Sequence, residues 1–196
     1  MLRSWVTFAV LCLCLAAAGS AVAFPTFNPA DRLASKPIDD YGYDHAKRCV
    51  KRTPRGTLAL QSWLEDNVKG VSWGIMRCER WGKNSASLHA EGRAIDWHLD
   101  VHDPGERRAA GQLIDLLLAT DKRGNEHALA RRMGVQEIIW DCRSWWSGSE
   151  GMDRYSACFN RKGRPVKIDD TTAHRNHVHL GLSRAGARIL TSFWRH

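Results

Sequence analysis

The chain has 196 residues, of which 43% are hydrophobic, and it carries a formal net charge of +8 at pH 7. This length is enough for one domain with a real hydrophobic core. After the N-terminal leader no segment approaches the ~20 apolar residues of a membrane-spanning helix, so the sequence excludes a transmembrane segment in the mature chain.

The N-terminus is typical of an export signal at residues 1–23. Arg3 supplies the positive charge, the run from 5 to 18 contains a single polar residue, and Ala21-Val22-Ala23 is a small-residue cleavage site. We therefore expect cleavage before Phe24 and a secreted or periplasmic protein. A retained N-terminal anchor is the less favoured alternative.

Residues 24–48 contain three prolines and little periodicity, which indicates a lead-in or linker before a single domain at 49–196. Loss of the signal lowers the formal net charge from +8 to +7, because Arg3 is its only charged residue. A basic surface attracts polyanions such as bacterial wall polymers, anionic membranes or nucleic acid. Apart from clusters at 47–52 and 161–164 the basic residues are scattered, which favours attraction over specific recognition.

The mature chain keeps four cysteines: Cys49, Cys78, Cys142 and Cys158. An even number in an oxidising compartment predicts two disulfides. We favour Cys49–Cys78 and Cys142–Cys158 because each closes a local loop, although three pairings are allowed. A zinc site made of all four is disfavoured, because no two of them have the usual paired-ligand spacing.

The hydrophobic pattern predicts helices and strands that alternate along the domain. In chain order they are a helix at 57–68, strands at 71–77 and 93–101, helices at 103–120 and 126–133, a strand at 135–140, a long loop or weak hairpin at 144–170, a strand at 177–182 and a helix at 185–194. This order predicts an α+β fold with one small, mostly antiparallel sheet flanked by helices.

Two segments about eighty residues apart carry the chemistry. His89 and Asp96 lie seven apart in a turn and the strand that follows, and His177 and His179 share one face of a later strand. Three His or Asp ligands with one position left open are typical of a catalytic zinc. The sequence therefore predicts a one-zinc site that generates hydroxide at neutral pH, with spare histidines, including His174, beside it for proton transfer.

These residues resemble a known family. The stretch Ser87-Leu88-His89-Ala90-Glu91-Gly92-Arg93-Ala94-Ile95-Asp96 with the later His-x-His resembles the signature of lysostaphin, D-Ala-D-Ala metallopeptidases and hedgehog domains. The first segment is most similar to hedgehog signalling domains. The second, His174-Arg175-Asn176-His177-Val178-His179, is similar to penicillin-insensitive murein endopeptidases. The resemblance covers residues 74–184 and extends to secreted bacterial domains of this group.

The resemblance implies a hedgehog/D-Ala-D-Ala-peptidase-like fold with His89, Asp96 and His179 as zinc ligands. It implies that His177, and with it His174, acts as a catalytic base or electrostatic partner. It also implies that a serine and an upstream arginine hold the substrate. Ser87 matches that serine, and Arg77 or Arg80 fits the arginine, with Arg80 taken as the candidate.

One departure from the family pattern concerns a glutamate base. The carboxypeptidases place a Glu three residues before the last ligand, and hedgehog domains place one six residues before it. This chain has Asn176 and Ala173 there. The departure points towards histidine-assisted hydrolysis and leaves open a protein that binds without catalysis. Glu91 is expected to be structural, with the missing base as its alternative role.

The tryptophans of the later strand and loop, Trp140, Trp145 and Trp146, are expected to pack in the core. Their alternative role is an aromatic wall for a glycan or peptide groove.

The leading functional hypothesis is an exported zinc metallopeptidase that hydrolyses an amide bond in peptidoglycan peptides. The alternative is a non-catalytic, zinc-stabilised binding module of hedgehog type. A basic, metal-dependent nuclease comes third, because His-Asn-His nucleases keep those residues within one compact unit; no nucleic acid partner is expected.

Overall fold

The computed structural model describes residues 35–195, so the expected export signal lies outside the described residues. The fold is α+β, as expected from the sequence. The strands are β1 Val71–Gly74, β2 Arg80–Gly82, β3 Ser85–Ala86, β4 Ala94–His98, β5 Val135–Trp140, β6 Arg143–Trp146, β7 Asp153–Arg154 and β8 His177–Leu182. Six of them form one sheet in the order β1–β4–β8–β5–β6–β7, in which every pair is antiparallel, and β2 and β3 form a separate hairpin.

Within residues 35–195 there are four α-helices, of which the first precedes β1: α1 Arg55–Asn67, α2 Pro104–Leu118, α3 Ala128–Met133 and α4 Arg184–Ala187. The α2 helix begins where its sequence indicates, because the Asp103 side chain accepts hydrogen bonds from two N–H groups of the first turn and Pro104 follows. Short 3₁₀ turns cover Leu88–Glu91 and Ser156–Cys158. Apolar side chains of α1, α2 and α3 pack with the sheet around the buried Trp97.

The register of the central strands positions the site. In the β4–β8 pair Asp96 lies opposite His179, and His98 lies opposite His177. Directly opposed residues in an antiparallel pair have Cβ atoms about 5 Å apart, so their side chains meet on one face. On the other side of β8, Ile139 of β5 lies opposite His179.

The prediction of a C-terminal helix at 185–194 was wrong in its length, because α4 ends at Ala187. Ile189 adopts a left-handed φ of 60°, and the N–H of Leu190 bonds back to Ala185. This αL ending terminates the helix. The next residues then turn back onto the domain, where the Trp194 indole donates to the Met133 carbonyl at 2.9 Å.

Both expected disulfides are present, Cys49–Cys78 and Cys142–Cys158. Disulfides of this kind are typical of exported proteins. The second bond closes much of the long connection at 144–170, which holds β7 and a 3₁₀ turn and so is more ordered than a simple loop. Within 35–195, no helix has the length and apolar character needed to span a bilayer.

The described part of the expected lead-in, residues 35–48, lies against the domain. The Tyr41 hydroxyl contacts the carbonyls of Ala130 and Val135, at 3.0 and 2.6 Å. The Asp44 N–H donates to the Gln136 side chain. This segment therefore contributes side chains to the surface beside β5.

Candidate metal site

The 3₁₀ turn holds His89 in place. The Ser87 hydroxyl accepts a hydrogen bond from the His89 N–H, and the turn ends at Gly92, whose φ of 63° is left-handed. A Cβ at Gly92 would lie 2.8 Å from the Met76 sulfur and from Pro54, so glycine also fits sterically. The His89 ring donates from Nδ1 to the Ile75 carbonyl at 2.8 Å, which turns Nε2 towards β4 and β8.

Three ligand atoms converge there from the turn, β4 and β8. His89 Nε2 lies 3.0 Å from Asp96 Oδ1, His179 Nδ1 lies 3.0 Å from the same oxygen, and the two nitrogens are 3.1 Å apart. All three residues are buried. With bonds of about 2.0–2.1 Å, tetrahedral zinc holds its ligand atoms roughly 3.3 Å from one another. The nearly equilateral triangle fits such an ion, and these residues could hold a metal.

The donor chemistry of the triangle also suits a cation. Because His89 Nδ1 donates to a carbonyl, Nε2 of the neutral ring presents a lone pair, as does Asp96 Oδ1. Burial alone would raise the pKa of the Asp96 carboxyl, but its interactions with His179 and His89 hold that pKa far below its usual range. Burial likewise opposes protonation of His179, but the hydrogen bond with Asp96 raises the pKa of this imidazole. The cluster therefore favours positive charge at its centre.

Neighbouring groups orient the two strand ligands. The Arg77 guanidinium donates to Asp96 Oδ2 at 3.0 Å, which leaves Oδ1 for the metal position. The second ring nitrogen of His179, Nε2, lies 3.9 Å from Glu137 Oε1. Glu137 in turn accepts a hydrogen bond from the Tyr43 hydroxyl at 2.5 Å. A carboxylate hydrogen-bonded to the outer ring nitrogen fixes the orientation of a metal-binding histidine, and Glu137 lies next to that nitrogen at a distance longer than a hydrogen bond.

Gly181, two residues after His179 in β8, leaves space for the Glu137 side chain. A Cβ there would lie 2.4 Å from Leu88 and 3.1 Å from the Glu137 Cβ. A larger residue would push Glu137 or Leu88 aside. The close approach of β5 to β8 at this point therefore depends on glycine.

Two further imidazoles flank the triangle, as the sequence predicted. His177 Nε2 lies 3.6 Å from Asp96 Oδ1, while its Nδ1 bonds the Asn176 side chain at 2.8 Å. The His174 ring packs 4.7 Å from the His177 ring, with a left-handed backbone φ of 52°. Burial lowers the pKa of His177 to about 4, and burial together with the neighbouring His179 and His177 lowers the pKa of His174 to about 3.

Two residues of the triangle, His89 and His179, line a cleft of about 310 Å³, and Asp96 is not part of that lining. This volume is at the lower end of the range for small-molecule sites. The cleft lining also includes Tyr43, Arg77, Trp81, Tyr155 and His174. A larger cavity of about 500 Å³ lies elsewhere and shares no residue with the triangle.

The candidate substrate residues lie at different places. Ser87 lines the cleft, but its hydroxyl caps the turn that carries His89. Arg80 is an exposed residue of β2 and does not line the cleft, whereas Arg77 does. A role in substrate binding remains a prediction for Ser87 and Arg80 alike.

The expected packing role of the later tryptophans is confirmed in the core for Trp140 and Trp145, while Trp146 is half-buried. The exposed aromatic side chains beside the site are others. Trp81 lines the cleft and is 72% exposed, and the 49%-exposed Trp73 packs 6.0 Å from the His177 ring. If an aromatic wall exists here, these two residues supply it.

Sequence reasoning missed Glu137 and left Arg77 undecided. A signal for Glu137 was present, because a carboxylate in the middle of a strand with a continuous apolar face needs a buried partner. No sequence signal indicates that Arg77 reaches Asp96, because that contact depends on the path of the chain after β1.

A family model described as "VldE, C-terminal domain" matches residues 50–167, more than half of the chain. The matched stretch includes His89 and Asp96 and ends before the histidines of β8. Neither the curated proteins nor the solved structures gave a match.

Proposed function

We propose that this chain, which belongs to the family of VldE C-terminal domains, is an exported zinc metallopeptidase acting on peptidoglycan peptides. The proposal rests on the residues of its own candidate metal site. One observation carries the proposal. His89, Asp96 and His179 form a three-ligand triangle, His89 and His179 line a cleft, and two further imidazoles lie beside the triangle. Three protein ligands that leave a fourth position open are typical of hydrolytic zinc sites.

His89, Asp96 and His179 would hold the zinc, and the ion would supply Lewis-acid chemistry at an amide carbonyl and acidify water. Arg77 keeps Asp96 turned towards the triangle, and Glu137 does the same for His179. The surrounding residues thus fix the ligands before any ion or substrate arrives.

Proton transfer is assigned to His177, with His174 behind it. Asn176 fixes the Nδ1 side of His177, so Nε2 faces the triangle. From there it can take a proton from an attacking water and pass it to the leaving amine. His174 Nδ1 bonds the Thr172 carbonyl, which similarly leaves its Nε2 without a bond to the backbone. In the peptidases that this chain resembles, a glutamate has this role, and here the two histidines would take it.

Three observations support peptidoglycan as the substrate. The disulfides fit an exported protein, the chain is basic, and bacterial walls are anionic. Aromatic side chains line the cleft, which suits the apolar faces of sugars and stem-peptide side chains.

The test combines metal analysis with digestion of purified peptidoglycan, using wild type, His177→Ala and the exposed control His102→Ala. We expect wild type and both variants to bind about one zinc. The cleavage rate should fall by about 10²- to 10⁴-fold in His177→Ala, the usual effect of losing a general acid or base, and stay unchanged in the control.

New amino termini in the digest would identify the bond that is cut. One zinc per chain with no cleaved amide in any muropeptide would sink the enzyme proposal. If that protein still bound cell walls, with His177→Ala binding equally well, the result would favour the binding module. Nicking of plasmid DNA that stops with a chelator would favour the nuclease.

A further inference from the structure

A third, smaller pocket lies apart from the candidate metal site. Its volume is about 140 Å³, and none of the three candidate metal ligands lines it. The side chains around it are strongly basic. They include four arginines and one acid: Arg48, Arg93, Arg184, Arg188 and Glu91.

Glu91 is already neutralised by the protein. Its carboxylate accepts hydrogen bonds from the Lys47 N–H and from Arg93 Nε, and Arg184 lies 3.1 Å away. Arg93 is buried and also donates to the carbonyls of Leu182 and Asp44. Asp44 Oδ1 lies 3.8 Å from Arg184 Nε, so the two arginines of the pocket floor are paired with two carboxylates and no acid is left for the rim.

The two rim arginines, Arg48 and Arg188, are different. Both are exposed, and within residues 35–195 no hydrogen bond or ion pair is seen at either side chain. They come from distant parts of the chain and face one pocket. An anion bound in this pocket would give each of the two guanidiniums a partner of opposite charge.

The backbone that carries these arginines is fixed. Arg48 precedes the disulfide-bonded Cys49, and the next N–H, that of Val50, donates to the Ala90 carbonyl. Arg188 directly follows α4. The α1 helix packs tightly onto α4, since a Cβ at Gly56 would lie 2.0 Å from the Gly186 carbonyl oxygen.

This packing brings the N-terminus of α1 to the pocket, where Pro54 is part of the lining. The first turn of α1 holds no acidic residue, so its partial positive charge is not neutralised from within the helix. The basic residues Lys51, Arg52 and Arg55 are exposed nearby in sequence. The pocket and the helix end thus attract the same kind of ligand.

We propose that this pocket binds a phosphate group. Each guanidinium offers paired, parallel N–H donors that match the oxygens of an oxyanion. A carboxylate has two oxygens and is satisfied by one such fork, whereas a phosphate has enough oxygens and charge for two. The small volume suits a single group of this size, either free phosphate or one unit of a phosphate polymer.

The test uses Arg48→Gln/Arg188→Gln. The matched control is Arg161→Gln/Arg164→Gln, which removes two exposed charges from the other basic cluster and leaves the pocket unchanged. Calorimetric titration with inorganic phosphate, with long-chain polyphosphate and with polyglutamate compares the ligands. Both variants should unfold at the wild-type temperature, because the four side chains are exposed.

Phosphate affinity should fall by about tenfold or more in the pocket variant and by less than about twofold in the control, as expected for lost charge-assisted hydrogen bonds. Tighter binding of polyphosphate than of phosphate identifies a polymer as the source, and equal binding per group identifies free phosphate. The proposal is overturned if wild type binds neither, or if both variants lose affinity equally. Unchanged phosphate binding in the pocket variant also overturns the proposal, because the phosphate would then be held elsewhere, for example at a metal ion. The same holds if polyglutamate binds and its binding depends on the same two arginines.

Discussion

Glu91 and Asp96 belong to one short motif and are both buried carboxylates, yet their surroundings differ. Glu91 accepts hydrogen bonds from Arg93 and from a backbone N–H, and it forms an ion pair with Arg184. Asp96 has one guanidinium partner and shares its other oxygen with two imidazoles. A complete set of donors makes a carboxylate structural, and convergence with other lone pairs makes it a ligand. Substitutions at these carboxylates and their partners should separate the two roles.

The largest effect is expected from His179→Ala. Removal of one of three ligands should lower zinc affinity by more than the 10–100-fold typical of outer-shell changes. Metal analysis after dialysis should find about one zinc in wild type and almost none in the variant. Adding zinc should raise the unfolding temperature of wild type alone, because only a bound ion stabilises the fold. Equal zinc content in both proteins would refute the ligand assignment.

Glu91→Ala should act on stability and leave the metal in place. Breaking a buried ion pair by removing one partner costs about 3–5 kcal/mol, because Arg93 keeps its charge in the interior. Denaturant unfolding measures this loss, with the exposed Glu150→Ala as the control. If Glu91→Ala unfolds like wild type but loses zinc, the roles assigned to the two carboxylates are reversed.

Asp121 extends the structural class to a third carboxylate. It is buried and accepts hydrogen bonds from Arg132, Asn125 and the Arg123 N–H. Burial opposes ionisation, but the hydrogen bonds with Asn125 and Arg132 outweigh it and lower the pKa of Asp121. The stabilisation is therefore present above the unfolded pKa of about 3.9 and is lost as the pH falls through the folded pKa.

Asp121→Asn should lower the free energy of unfolding at pH 7 by about 1–3 kcal/mol, the contribution of a hydrogen bond to a charged group. The difference from wild type should shrink as the pH falls below about 4. Urea unfolding at several pH values measures it. A difference that stays constant down to pH 2 contradicts the proposed ionisation.

Glu137→Gln should give the smallest effect. It keeps the size of the side chain but removes the negative charge 3.9 Å from His179 Nε2. Zinc affinity should fall by about tenfold, the low end for an outer-shell partner, with unfolding of the metal-free protein little changed. Competition with a chromophoric chelator gives the affinity, and Glu126→Gln is an exposed control. No change in affinity would show that Glu137 does not orient the ligand.

Much of the fold and the metal triangle could be predicted from the sequence. Periodicity gave the strands Val135–Trp140 and His177–Leu182 with their observed bounds, because both are short and strongly patterned. Spacing placed His177 and His179 on one face, since side chains two apart in a strand point the same way. Local loop closure favoured the two disulfides that are present.

The rest depends on contacts between distant parts of the chain. Glu137 can approach His179 because Gly181 has no side chain to displace it. Arg77 donates to Asp96 from beyond the end of β1. The left-handed Ile189 ends α4 early, although nothing in an apolar pattern distinguishes it from a helical residue. Pairing between strands and docking of loops decide such details, and neither appears in the local sequence.

The Cys49–Cys78 bond is next in sequence to both candidate sites. Arg48, on the rim of the basic pocket, precedes Cys49, and Arg77, which holds Asp96, precedes Cys78. Closing a loop of this length stabilises a fold by about 3–4 kcal/mol. Reduction of this bond by a thiol should therefore destabilise the basic pocket and the contact between Arg77 and Asp96 together. Such a protein would complete these contacts only in a compartment where the disulfide can form.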